Sequence, residues 1–183
     1  MVKTASLQRP KEPEPTPGFE GIYTLAMKGG NPQIRALMRT ISYCEGTGTK
    51  KNSYFLIFGG ETFEGEIHPN QEKKFGETLT TAAGRYQMIH ETWYRWSRKY
   101  INEDFPTFTP KNQDFVVYNK LKEEIGSKLE GDFVGAVEFL SSVWASLPGG
   151  KQQRLSMSEF TRIYAGLLEE EKLIVRGMRI SKR

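Results

Sequence analysis

Between Ile34 and Thr47 an apolar helical pattern runs straight into a carboxylate and two glycines. Ile34, Leu37, Met38 and Ile41 recur at steps of three and four, which places them on one side of a helix and requires something to cover that side. Gly46 and Gly48 stop the helix, because glycine enters the left-handed conformation of a helix end without a steric penalty. Glu45 is thereby expected in the last turn, beside the carbonyl end of the helix and at the lip of whatever the helix is buried in. The helix dipole and partial burial both penalise its ionised form, so its pKa is expected above that of a free glutamate. A carboxyl group that keeps its proton near neutral pH can act as a general acid. The competing reading is a solvated glutamate at a frayed helix end.

The remaining composition bounds what such a helix can belong to. A chain of 183 residues with 37% hydrophobic and 12% aromatic side chains can bury one domain core. The net charge of +4 favours anionic partners such as a bacterial wall or nucleic acid without choosing between them. Cys44 is the only cysteine, so no internal disulfide forms, and no Cys or His cluster has metal-ligand spacing; no metal or cofactor is expected. The two histidines, His68 and His90, stand in no recognisable nucleophile motif. No apolar run is long enough to span a bilayer, and Arg9 to Pro17 is rich in proline and charge with no hydrophobic signal core. Synthesis in the cytoplasm without a cleaved signal, and no membrane insertion, are the expectations.

Three regions are expected along the chain. Residues 1–31 read as a flexible N-terminal arm, 32–175 as the domain proper and 176–183 as a basic tail. Ser53 to Phe58, Gly59-Gly60 and Glu61 to Ile67 read as a β-hairpin following the Glu45 helix, and the chain then looks loop-like to about Thr80. Tyr86, Ile89, Trp93, Trp96 and Tyr100 predict an aromatic-faced helix starting near Ala82 or Ala83. Thr109-Pro110 opens a helix with Phe115, Val116, Leu121 and Ile125 inside. Asp132 caps one carrying Phe133, Val137, Leu140 and Trp144, which Pro148-Gly149-Gly150 ends. Ser156 to Glu159 is a capping box before Phe160, Ile163, Tyr164, Leu167 and Leu168. Five helices and one hairpin make a mostly helical α+β domain, with a monomer as the default.

A two-carboxylate glycosidase would need an Asp or Glu close to Glu45. The first aspartate is Asp104, and the nearest candidates by sequence are Glu61, Glu64 and Glu66, which alternate like a solvated strand face. A single carboxyl group can also suffice, protonating a glycosidic oxygen and then taking a proton from a hydroxyl of the same sugar. The intramolecular attack replaces water.

Tyr43-Cys44-Glu45-Gly46-Thr47, Phe58-Gly59-Gly60-Glu61, His68-Pro69, Ala83-Gly84-Arg85-Tyr86-Gln87, Thr109 to Asp114 and Trp144-Ala145-Ser146-Leu147-Pro148-Gly149 follow one another in that order. In this the chain, over roughly residues 33–172, resembles the lambda-type phage endolysins. The resemblance implies a lysozyme-like fold with a small β-hairpin beside the catalytic helix. It also implies lytic transglycosylase activity on the β-1,4 bond between N-acetylmuramic acid and N-acetylglucosamine in peptidoglycan, leaving 1,6-anhydro ends. Glu45 takes the acid/base role. Tyr86 and Gln87 are placed opposite it in the cleft, the ring under a sugar and the amide on an acetamido or hydroxyl group; Thr47 and His68 are further cleft candidates. Arg85 and Trp144 read as structural. The chain departs from the family pattern at Cys44, where Ser is usual, at Phe55, where Asp is common, and at Lys151 to Arg154, which replace an expected Tyr-Gly-Gln. Two alternatives stay open: a hydrolytic muramidase using Glu61, Glu64 or Glu66, and a wall- or nucleic-acid-binding module that has lost catalysis. The family reaches the wall through a separate membrane lesion, which is the expectation here. The glycan strand is the expected partner, with no nucleic acid.

Overall fold

The computed structural model describes residues 19–177; the Pro-rich lead before them and most of the basic tail lie outside the described residues. The central element is α1, Pro32–Cys44. Asn31 caps it, its side chain accepting from the Gln33 amide at 2.7 Å, and Pro32 occupies the first turn, where a missing N–H costs nothing. Every residue of α1 from Ile34 to Ser42 is buried, more than one apolar face would require. The polar part of that burial is resolved by the long helix α5, Met157–Val175, which lies against it. Fully buried Glu171 receives Arg35 Nε at 2.5 Å and Arg39 Nη1 at 3.2 Å, and Glu170 receives Arg39 Nη1 at 2.9 Å. Buried charges persist only when paired in this way.

Residues 19–31 are part of this body, which corrects the expectation of a flexible arm as far as residue 31. Ile22, Leu25 and Met27 are buried, Arg39 Nη2 donates to the Ile22 carbonyl at 2.6 Å, and Arg35 Nη1 donates to the Met27 and Gly29 carbonyls at 3.0 and 2.9 Å. The arm has little periodicity, so its partners, arginines of a helix that follows it, leave no local trace in its own sequence.

The other helices are α2, His90–Ile101; α3, Pro110–Ile125; and α4, Phe133–Leu140. The caps at Thr109 and Asp132 and the Ser156–Glu159 capping box form as expected. Val116, Leu121 and Ile125 of α3 enter the core, whereas Phe115 is 40% exposed and is not an inner-face residue. Trp144 is buried but lies beyond the end of α4.

The β structure differs from the sequence expectation in place. The Gly59-Gly60 turn exists, but its arms share a single bridge, Leu56 to Thr62, and Ser53–Phe55 forms a 3-10 turn. Tyr54, Phe55, Leu56 and Ile57 are all buried, so this run serves the core rather than alternating as a two-sided strand. The two-stranded antiparallel sheet is β1, Lys73–Phe75, with β2, Thr78–Thr80, pairing Lys74 with Leu79. This mostly exposed ribbon stands beside the end of α1. Among the described residues no helix is long and apolar enough to cross a membrane.

Candidate active site

Glu45 follows α1 directly: its amide donates to the Ile41 carbonyl at 2.9 Å and ends the helix. Gly46 then takes φ +74°, the left-handed position expected of it, and turns the chain so that the Glu45 side chain enters a cleft of about 430 Å³. One wall is the turn after α1, with Thr47 and Lys50; another is the Leu56–Gly60 loop with Phe75 of β1; a third is Trp144 to Ser146 with Arg154. Phe58 and Phe75 meet edge to face, 5.2 Å between ring centres, and give the second wall an aromatic surface.

The residues after α4 fold back on themselves. Gln152 N donates to the Ala145 carbonyl at 2.9 Å and Arg154 N to the Ser146 carbonyl at 3.1 Å. This fold-back brings Ser146 Oγ to Glu45 Oε1 at 2.5 Å and the Arg154 guanidinium over Gly46. Burial pushes the Glu45 pKa up; the Ser146 hydrogen bond and the Arg154 charge partly offset it. The direction agrees with the sequence expectation, and its main cause is desolvation. Glu45 is the only carboxylate among the described residues lining the cleft. Glu61, Glu64 and Glu66 are exposed outside it, and Glu61 pairs with Lys73 at 3.0 Å. Cys44, behind Glu45, is 1% exposed, and burial followed by the Glu45 charge raises its thiol pKa to about 12; it stays a neutral packing residue.

Of the other residues singled out in the sequence, Thr47 and Gln87 line the cleft. Thr47 is 3% exposed, its hydroxyl lying against the Ser42 and Arg85 carbonyls, so it ties α1 to the 84–88 segment and supplies floor. Gln87 takes φ +47° and anchors its Nε2 on the Gly84 carbonyl at 3.0 Å.

Tyr86 and His68 are corrections. The helix expected from Ala82 begins only at His90; Ala83 and Met88 instead pair as an isolated bridge, around Gly84 at φ +75° and Gln87 in the left-handed region. Tyr86 therefore points inward, fully buried, and donates its hydroxyl to Asp114 Oδ1 at 2.6 Å. Asp114 also accepts from Tyr54 and from the Ala26 and Met27 amides, a buried junction that Arg85 completes through Tyr54 at 3.4 Å and the Tyr23 and Thr24 carbonyls. Tyr86 does not line the cleft; its carbonyl accepts from Nε1 of the cleft-wall residue Trp144 at 3.0 Å. His68 is buried against Phe108 and bonded to the Met88 carbonyl at 2.9 Å, away from the cleft lining. Burial lowers its pKa to about 4. Arg85 and Trp144 have the structural roles expected.

Sequence reasoning missed Ser146 as the partner of Glu45, and Lys50, Arg154 and the Phe58–Phe75 pair as cleft walls. Ser146 stands in a conspicuous block but 101 residues from Glu45, and nothing local announces the pairing.

Comparison with known proteins agrees with this geometry. The endolysin family profile matches residues 35–168. The endolysin of Escherichia phage lambda is 33% identical over 128 residues, 65% of this chain and 79% of the relative. That of Escherichia phage P2 is 27% identical over 134 residues, 63% of this chain and 79% of the relative. Among solved structures, bacteriophage lambda lysozyme complexed with a chitohexasaccharide superposes with a TM-score of 0.62 at 28% identity, over 80% of this chain and 97% of that one. A carboxyl group at a helix end, held in a cleft between a helical body and a small sheet, thus sits in a lysozyme-like fold, and the chain belongs to the endolysin family.

Proposed function

We propose that this endolysin is a lytic transglycosylase that cleaves the N-acetylmuramic acid–β-1,4–N-acetylglucosamine bond of peptidoglycan, with Glu45 as its only acid/base. The observation that carries the reading is Glu45's isolation: a half-buried, hydrogen-bonded carboxyl group with no second carboxylate among the described residues lining the cleft. A two-carboxylate hydrolase needs its partner within about 5–10 Å across the scissile bond.

In the first half-reaction the Glu45 proton passes to the glycosidic oxygen as the C1–O4 bond breaks, and the Ser146 hydroxyl stabilises the carboxylate left behind. In the second, that carboxylate takes the proton of the C6 hydroxyl of the same muramic acid, O6 closes on C1, and Glu45 is protonated again. Placing the nucleophile in the substrate supplies the effective concentration that an activated water would otherwise provide. Gln87 hydrogen-bonds an acetamido or hydroxyl group, and the Phe58–Phe75 wall takes the apolar face of a pyranose in the role first expected of Tyr86. A glycan in the cleft is consistent with the chitohexasaccharide carried by the lambda lysozyme neighbour. The enzyme reaches the wall after the membrane has been permeabilised by another agent.

The test is release of soluble fragments from purified sacculi by the parent and by E45Q, E61Q, E64Q and E66Q. E45Q is expected to lose at least about 100-fold, the contribution of a positioned general acid, with the other three close to the parent. A comparable loss in any of those three would point to a hydrolase.

A further inference from the structure

Two cations face the cleft, Lys50 and Arg154, and the charge of Arg154 acts on Glu45. Arg154 Nη1 lies 2.6 Å from where a Gly46 Cβ would stand, so it rests directly on the turn that carries Glu45, and Lys50 Nζ approaches the opposite loop, 4.0 Å from the corresponding position at Gly60. Both line the cleft and both are exposed. Among the described residues neither forms an ion pair or a side-chain hydrogen bond. Lys73 of β1, by contrast, pairs with Glu61 at 3.0 Å. Arg154 is held in place by its own backbone, which bonds the Ser146 carbonyl at 3.1 Å, rather than by its charge. Among the described residues, the charged side chains lining the cleft are Glu45 and these two.

A sugar chain filling the cleft strips water from both cations. Unless the ligand returns a negative charge, that desolvation opposes binding. A glycan of N-acetylglucosamine alone has none to offer. We propose that Lys50 and Arg154 are specificity-determining residues that select glycans carrying a carboxylate-bearing substituent on a sugar next to the scissile bond. The inference rests on the peptidoglycan reading above and narrows it. In that substrate the carboxylate has two sources: the lactyl ether of muramic acid when the stem peptide is absent, and the stem peptide's own carboxylates when it is present. A guanidinium is suited to a bidentate carboxylate contact, and the lysine to a looser one.

The experiment is calorimetric binding to the E45Q protein, which separates affinity from turnover. The three ligands are chitohexaose, peptide-free N-acetylglucosamine–N-acetylmuramic acid chains, and the same chains bearing stem peptides. E45Q is expected to bind at least one carboxylated ligand about ten-fold more tightly than chitohexaose, with an advantage that shrinks at high salt. Adding R154Q or K50Q is expected to remove most of that advantage by weakening the carboxylated chains while binding chitohexaose at least as tightly as before, and R154K to restore part of it. Preference for the peptide-free chain identifies the lactyl carboxylate, and preference for the peptide-bearing chain identifies the stem. Equal Kd values for all three ligands, or R154Q and K50Q weakening chitohexaose as much as the carboxylated chains, would overturn the inference. Failure of the parent to release fragments from sacculi would instead overturn the function proposed above, so the two failures are distinguishable.

Discussion

The Ser146 hydroxyl donates to Glu45 Oε1 at 2.5 Å, joining the segment after α4 to the end of α1. The bond favours the ionised carboxyl group and so works against the burial that raises its pKa. General-acid activity requires the proton, so the rate falls as pH rises through that pKa. S146A is expected to raise the Glu45 pKa further and shift the alkaline limb of the kcat/KM profile to higher pH. It should also lower the maximal rate roughly ten-fold, the worth of one hydrogen bond to a charged group. An unmoved limb would mean that Ser146 does not sense the Glu45 charge.

E45Q should make the protein more stable at neutral pH, not less. The folded pKa of Glu45 lies above its unfolded value, so its ionisation is resisted in the fold: the carboxyl group is harmless below the unfolded pKa, and stability is lost as pH rises through the folded one. Glutamine never ionises. The Tm of E45Q is expected to match the parent near pH 4 and to exceed it by about 2 °C at pH 7–8. Equal melting curves at both pH values would contradict a penalised carboxylate.

The buried charge pair between α1 and α5 gives a stability prediction remote from the cleft. E171Q removes the carboxylate that, among the described residues, alone meets both Arg35 and Arg39, leaving buried guanidinium groups short of charge. Urea unfolding is expected to show a loss of about 3–5 kcal/mol. A loss below about 1 kcal/mol would show that Glu170, which already meets Arg39, takes over.

Gly84 supports Gln87, which lines the cleft. It holds φ +75°, and a Cβ there would lie 2.2 Å from Gln113 Oε1 and 2.7 Å from the Phe108 ring. Both the Gln87 amide and its side chain bond the Gly84 carbonyl. G84A is expected to cost more than about 2 kcal/mol in unfolding and to weaken glycan binding in the protein that still folds. Parent-like values for both would refute this role.

What could be read in advance follows from how local each signal is. Glu45, the caps at Thr109 and Asp132 and the capping box at Ser156 are set within one or two turns of helix, and all took their expected places. The β region did not. The apolar run at Tyr54 to Ile57 has the composition of a strand but is buried on every side, while the real strands, Lys73–Phe75 and Thr78–Thr80, are too short, polar and exposed to show periodicity. Tyr86 matched the spacing of a helix face, yet two left-handed residues flank it and a carboxylate 28 positions away claims its hydroxyl. Ser146 and Arg154 join the site through long-range folding alone.

The central claim, that one carboxyl group performs the cleavage without water, is tested most directly by the masses of the products. Purified peptidoglycan digested to completion and analysed by mass spectrometry should yield muropeptides lighter by one water, with 1,6-anhydro ends and no reducing muramic acid. Reducing ends at the cleaved bond would contradict the claim and require a second group in the cleft to activate water.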